Sequence, residues 1–208
     1  MTIWDVKNKR VLVRADFNVP LNEAGQIRDE TRIVKTLPTL HHLIRQKSRI
    51  ILMSHLGRPK GKVNRTMSLK PVAERLSKLL NQPVPLISDA VGEKAKKEAA
   101  RLKPERAVLL ENLRFHAGEE QNDTLFAKAL AQLGDVYVND AFGAAHRAHA
   151  STVGITQFLP AAAGFLLRSE VEALDGILSN PEHPFVAVLG GAKVSDKVKV
   201  IENLAGKI

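Results

Sequence analysis

The sequence predicts an α/β protein, a doubly wound parallel sheet of Rossmann-like three-layer α/β/α type, with an incomplete second domain after it. Three observations predict this. Short apolar runs of strand length alternate with longer stretches of helical period, the pattern of βαβ units. The strand candidates are apolar at successive positions, as in strands covered on both faces. Polar and charged residues gather just after those runs, where open parallel sheets place their ligands.

The elements follow in order. Val11–Val13, inside Arg10–Asp16, is the first strand. A stripe at Ile33, Leu37, Leu40 and Ile44 predicts a helix, and Pro38 implies a kink in it or a late start. Arg49–Met53 is a second strand. Leu69–Leu80 is helical, with Ser68 placed to cap it and Pro71 tolerable in its first turn. Val84–Ile87 is a short strand. A helix follows with Val91, Ala95, Ala99 and Leu102 inward, and Lys94, Lys96, Lys97, Arg101 and Lys103 as its solvated coat. Ala107–Leu110 is a strand. Asp123 caps a helix with Phe126, Ala129, Leu130 and Leu133 inward, and Val136–Asn139 is the next strand.

The last fifth reads differently. Ser169 and Glu172 form a capping-box pattern ahead of Val171, Leu174 and Leu178. Asn180–Pro184 carries two prolines, Phe185–Leu189 is a strand, Gly190 and Gly191 make a tight turn, and Val200, Ile201 and Leu204 suggest a helix. One strand and one helix cannot bury each other's faces, so a domain boundary is expected near Asn180–Pro184.

Composition sets the function classes. A chain of 208 residues has room for one large core, or one domain and the start of another. With 44% hydrophobic and 25% charged residues it reads as globular, and 4% aromatics make the core aliphatic. The absence of cysteine removes disulfides and thiolate metal sites. No apolar run approaches the roughly 20 residues of a membrane span, and the first residues lack the order of a secretory signal. A cytoplasmic location is expected. The net charge of +9 points to anionic partners.

The charges are not spread evenly. Arg14, Asp16 and Asn18 follow the first strand, and Ser54, His55 and Arg58 the second. Glu111, Asn112 and Arg114 follow Ala107–Leu110; Asn139, Asp140, His146 and Arg147 follow Val136. Four strand ends thus deliver polar groups to one sheet edge. Any one arginine there is most simply a surface ion pair, but several on one rim are not. A charge-assisted hydrogen bond contributes about 1.5–3 kcal/mol, and micromolar binding needs roughly 8 kcal/mol, so converging arginines imply a small polyanion. His146 and His149 are spaced as metal ligands can be, but no third ligand supports them, and no metal ligand is assigned. Gly190-Gly191-Ala192-Lys193 is neither of the common glycine-rich phosphate motifs; its amides could face a phosphate, with Lys193 and Lys197 on one side of a helix start.

Larger blocks carry a resemblance. Arg14-Ala15-Asp16-Phe17-Asn18-Val19-Pro20, Arg32-Ile33-Val34 and Ser54-His55-Leu56-Gly57-Arg58-Pro59 occur in order. They are followed by Leu110-Glu111-Asn112-Leu113-Arg114-Phe115, Asn139-Asp140-Ala141-Phe142-Gly143, Ala145-His146-Arg147-Ala148-His149 and Gly190-Gly191-Ala192-Lys193-Val194-Ser195-Asp196-Lys197. The set, spread over most of the chain, resembles the phosphoglycerate kinase family; Ala15 stands where the family often has valine.

The resemblance implies reversible phosphoryl transfer between 1,3-bisphosphoglycerate and ADP, giving 3-phosphoglycerate and ATP, with Mg2+ on the nucleotide and a monomeric complete enzyme. It implies that Asp16 and Asn18 hold the glycerate hydroxyl and carboxylate region, and that His55, Arg58, Arg114 and Arg147 grip the 3-phosphate. Arg32 would face the reacting carboxyl group. Gly190, Gly191, Lys193 and Lys197 would lie on the nucleotide side, with Arg32, Lys193 and Lys197 catalytic. Residues 1–168 would form the substrate-binding domain, 169–184 an interdomain helix and hinge, and 185–208 the start of the nucleotide-binding domain. Family members run to about twice this length, so most of the second lobe and the acidic magnesium ligand are expected outside these residues, and a polypeptide of these 208 alone is expected not to turn over. A non-catalytic small-anion-binding domain is the alternative. Nucleic-acid binding ranks last, because no recognised motif or aromatic platform accompanies the charge.

Overall fold

The computed structural model describes residues 5–179 together with Val186, Val188, Val198, Ile201 and Glu202. The chain divides into two compact units, Met1–Leu167 and Arg168–Ile208.

The first unit is built on one six-stranded sheet. Its strands are β1 (Arg10–Arg14), β2 (Arg49–Met53), β3 (Leu86–Ile87), β4 (Ala107–Leu110), β5 (Val136–Asn139) and β6 (Ala161–Ala163). The spatial order is β3-β4-β2-β1-β5-β6, and every pairing is parallel. The doubly wound expectation therefore holds. The helices are α1 (Thr31–Arg45), α2 (Lys70–Leu79), α3 (Glu93–Arg101), α4 (Ala117–Glu120), α5 (Thr124–Ala131), α6 (Phe142–Ala145) and α7 (Phe165–Ser179).

Side-chain alternation along the strands creates the three layers. Val11, Val13, Ile50 and Leu52 point to one face and pack with Ile33 and Leu40 of α1 and Val72 and Leu76 of α2. Leu12, Ile51, Met53 and Tyr137 point to the other, with Ala95 and Ala99 of α3 and Phe126 and Leu130 of α5. Both faces are dry, which is why these strands read as unbroken apolar runs.

Several local expectations change. α1 begins well before Pro38, so the proline sits inside the helix, and there is no late start. The loss of one backbone donor there is outweighed by burial of Ile33, Leu40 and Leu43 on the sheet. In α5 the inward alanine is Ala127, fully buried, while Ala129 is only partly covered. Asp123 caps α5 as expected, its Oδ1 accepting from Phe126 N at 2.7 Å. Ser68 Oγ accepts from Lys70 N at 3.2 Å at the start of α2 and donates to Glu111 at 2.7 Å. Strand β6, three alanines, has no sequence signal; it pairs with β5 along an edge.

The capping box at Ser169 and Glu172 does not form. α7 starts at Phe165, so Ser169 lies within the helix, and Glu172 accepts from Arg168 at 2.6 Å instead. The actual cap comes from the next strand over. Asp140 Oδ1 accepts from Leu166 N and Leu167 N at 2.9 and 3.3 Å, and Thr39 Oγ1 accepts from Phe165 N at 2.9 Å. The expected strand at Phe185–Leu189 and the hinge at Asn180–Pro184 lie outside the described residues.

Candidate anion site at the carboxyl edge of the sheet

The register places Arg14, Met53 and Asn139 side by side at the carboxyl ends of β1, β2 and β5. The segments that follow therefore emerge at one edge, on either side of the point where strand order reverses. A cavity of about 270 Å3 lies there, lined by Asp16, Asn18, Arg32, His55, Gly57, Arg58, Arg114, Gly143, Ala144 and Arg147. All seven residues expected on the substrate side meet in it. Gly190, Gly191, Lys193 and Lys197 lie outside the described residues.

Each wall has a local cause. After β1, Ser54 Oγ accepts from Phe17 N and donates to Ala15 O, both at 2.8 Å, which ties this loop to the end of β2. Asp16 forms an ion pair with Arg32 from the first turn of α1. Gly57, at φ +65°, turns the chain after β2. Its N–H donates to Asn18 Oδ1 at 2.8 Å, and its carbonyl accepts from Arg114 Nη1 at 2.9 Å. One glycine backbone thus joins two other lining residues, Asn18 and Arg114. Asn112, fully buried, holds the third wall: its Nδ2 donates to Leu56 O and Met67 O, and its Oδ1 accepts from Arg114 N at 3.1 Å. Gly143 lies so close to the ion pair that a Cβ there would stand 2.5 Å from Asp16 Oδ2.

Six of the thirteen polar residues expected at this edge are scaffolding. Ser54, Glu111, Asn112, Asn139 and Asp140 bond to backbone groups, and Arg14 is fully buried beneath the cavity. His146 and His149 serve different partners, Arg147 Nε at 3.2 Å and Glu119 at 3.7 Å. Among the described residues, no group of three or more His, Cys, Asp or Glu is placed to hold a metal.

The field in the cavity is positive. Asp16 compensates Arg32, and Glu120 approaches buried Arg114 at 3.4 Å. Among the described residues, Arg58 and Arg147 have no ion-pair partner. Burial lowers the pKa of Arg114, partly offset by Glu120, though a guanidinium remains charged. His55 is pushed down to about 2 by burial, then by Arg14, Arg114, Arg147 and His149, so it is a neutral imidazole. The arrangement suits an anion: it offers arginine forks to hold one, with neutral donors and one carboxylate to orient it. It does not suit a hard divalent cation, because Asp16 is its only carboxylate and is engaged by Arg32.

Sequence reasoning missed Gly143, Gly57 and Ala144 as wall residues. Only Gly57 carried a signal, a glycine between a strand end and an arginine. It also placed Arg14 on the rim, when its side chain turns inward.

Known proteins are similar to this chain in sequence and fold. The family model for phosphoglycerate kinase matches residues 1–208. The chain is 60% identical over 204 residues to phosphoglycerate kinase of Moorella thermoacetica, covering 98% of this chain and 52% of that protein. It is 60% identical over 200 residues to that of Thermomicrobium roseum, covering 96% and 51%. Phosphoglycerate kinase of Coxiella burnetii superposes with a TM-score of 0.88 at 48% identity, over 100% of this chain and 52% of that one. The chain spans about half the length of the relatives it matches. A parallel sheet carrying these blocks in order, matched over its whole length by relatives of one name, belongs to the phosphoglycerate kinase family.

Proposed function

We propose that this chain carries the glycerate-phosphate half of a phosphoryl-transfer site, which moves a phosphoryl group between 1,3-bisphosphoglycerate and ADP to give 3-phosphoglycerate and ATP. The observation that carries this is convergence: residues as far apart as Asp16 and Arg147 line one small, positive cavity. Residues 1–168 are then the substrate domain, 169–184 the linking helix and hinge, and 185–208 the start of the nucleotide side.

The ligand is a small polyanion. Arg58, Arg114 and Arg147 with the His55 donor suit a phosphate, and Asp16 with Asn18 suits a hydroxyl group and its neighbouring carboxylate. Arg32, held by Asp16 and half exposed, is placed for the carboxyl oxygen that accepts the phosphoryl group. That acceptor is already ionised at neutral pH, so no general base is required, and positioning with charge neutralisation does the catalytic work. Mg2+ bound to the nucleotide would neutralise its phosphates; the anion cavity offers it no ligand. Lys193 and Lys197 would supply positive charge from the nucleotide side.

Calorimetric titration of the 208-residue chain tests the binding half. We expect saturable binding of 3-phosphoglycerate, reduced at least about tenfold in Arg114→Ala, the loss of about 1.4 kcal/mol that one charge-assisted contact supplies. ATP binding of equal strength, or no effect of the substitution, would reject the site. In a full-length family member carrying this half, Arg32→Ala should lower turnover far more than it weakens 3-phosphoglycerate binding; equal small effects reject its transition-state role. A coupled ATP-forming assay on the 208 residues alone is expected to show no turnover.

A further inference from the structure

Beneath the cavity runs a buried chain of polar groups that the transfer reaction does not itself require. Glu119 in α4 is fully buried and belongs to no wall of the cavity. Its Oε1 accepts from Ser151 Oγ at 2.6 Å and its Oε2 from Ser151 N at 3.0 Å. Ser151 Oγ in turn accepts from Arg14 Nε at 2.8 Å. Arg14 Nη2 lies 3.0 Å from His55 Nδ1, and Arg14 Nη1 donates to Ala15 O. The chain therefore runs from a buried carboxylate, through a hydroxyl and a guanidinium, to an imidazole that lines the cavity.

The direction of every bond is fixed by chemistry. A guanidinium has only donors, so Ser151 Oγ must accept from Arg14 and has its proton left for Glu119. By the same rule His55 Nδ1 must present its lone pair to Arg14, which puts the imidazole proton on Nε2. Protonating Nδ1 would bring two buried donors face to face at 3.0 Å. The anchor end is equally constrained. Burial alone would push the Glu119 carboxyl up, yet His149, Arg14 and Ser151 together hold it below the ordinary carboxylate value, so it stays an anion opposite Arg14. Tyr137, also buried, donates to Ser151 O at 2.8 Å and fixes the backbone from which Ser151 reaches both partners. Buried charges of this kind, an arginine and a glutamate bridged by a hydroxyl, gain little stability over apolar groups of the same volume, which makes a specifying role the better account of them.

We propose that Arg14, aimed by Ser151 and Glu119, is a positioning residue that locks His55 as the neutral, Nε2-protonated imidazole, so that the cavity meets an uncharged hydrogen-bond donor at that place. The consequence is selectivity by lone pairs. An anion oxygen finds a fixed donor there, whereas a ligand donor finds no acceptor. Because His55 carries no charge, it adds nothing to the positive field, which the arginines lining the cavity supply. The inference rests on the glycerate-phosphate reading only for the identity of the anion; the tautomer and its cause belong to the chain without ligand.

The test is nitrogen NMR on the 208-residue chain labelled with 15N-histidine, with the His55 signal assigned by its loss in His55→Asn. Without ligand, His55 Nδ1 should show the shift of an unprotonated acceptor nitrogen and Nε2 that of a protonated one, unchanged from pH 8 to pH 5. A protonated Nδ1, or conversion to imidazolium near pH 6, overturns the proposal on the unmodified chain alone. Ser151→Ala removes the link between Arg14 and Glu119 without touching the cavity. It should let the Nδ1 signal move toward a tautomer average and weaken 3-phosphoglycerate binding about three- to tenfold, the range of one neutral hydrogen bond. An unchanged Nδ1 signal in folded Ser151→Ala assigns the chain a structural role only and overturns the proposal. A locked tautomer in a chain that fails to bind 3-phosphoglycerate would leave this inference standing and remove the glycerate-phosphate reading.

Discussion

A methyl group on Gly143 would stand 2.5 Å from Asp16 Oδ2 and 3.7 Å from Arg32 Nη1. Backbone conformation does not explain the glycine, since Gly143 lacks a positive φ; the space taken by an ion pair does. Gly143→Ala should therefore leave the sheet intact and push Asp16 from Arg32, lowering anion affinity about tenfold, equivalent to about 1.4 kcal/mol, with a much smaller change in the urea midpoint. A fall in stability without a change in affinity would place the glycine in packing instead. This residue shows what the sequence withholds. Asp16, Asn18, Arg58, Arg114 and Arg147 were legible because a polar or charged side chain just after a buried strand is costly unless a ligand or a partner uses it. Gly143 acts by what it leaves empty, and that is defined only once α6 meets the β1 loop. Arg14 misled for the opposite reason: it carries the same charge at the same edge, but the last residue of a strand turns its side chain to one face of the sheet, here toward Ser151.

At the scale of elements, α7 makes the same point. Its sequence offers a local cap at Ser169, yet the helix begins earlier because Asp140, from the end of β5, accepts from Leu166 N and Leu167 N. A cap supplied across the sheet leaves no local spacing to read. It also has a cost. Burial raises the Asp140 carboxyl to about 6, partly offset by nearby Thr39 and by the bonds from Leu167 N and Leu166 N, and among the described residues its Oδ2 accepts no hydrogen bond. A pKa raised above the unfolded value means that this stability is complete below about pH 4 and is lost as pH rises through 6. Asp140→Asn keeps an acceptor for the helix and removes the charge. Its urea midpoint should fall less than the wild type's between pH 4 and pH 7, a difference of roughly 3 kcal/mol at most. Parallel curves for the two proteins would show that Asp140 is ionised throughout.

At the scale of the whole molecule, two of the buried titrations oppose each other. His55, depressed to about 2, contributes stability that is present above its unfolded value of 6.5 and is lost as pH falls. Asp140 contributes stability that is lost as pH rises. Between about pH 4 and pH 6 each is worth about 1.4 kcal/mol per pH unit with opposite sign, so the pair nearly cancels. Relative to wild type, His55→Gln should become less stable as pH rises across that window, and Asp140→Asn more stable. Two variants with the same slope would refute the pairing. The layered architecture itself was legible, because strands buried on both faces show as apolar runs and the amphipathic helices between them leave little choice of topology. The edge strand β6, all alanine, was not, because it is defined by its neighbour β5 and has no pattern of its own. The central place of β1 carries a further consequence, for synthesis. Val11 pairs with Ile50 on one side and with Val136 on the other. A ribosome must therefore deliver most of the domain before the first strand has both neighbours, and until then that strand keeps an open edge within reach of chaperones. Such long-range closure slows folding, so nascent chains arrested before Val136 should remain sensitive to protease, whereas those extended past Ala163 should not.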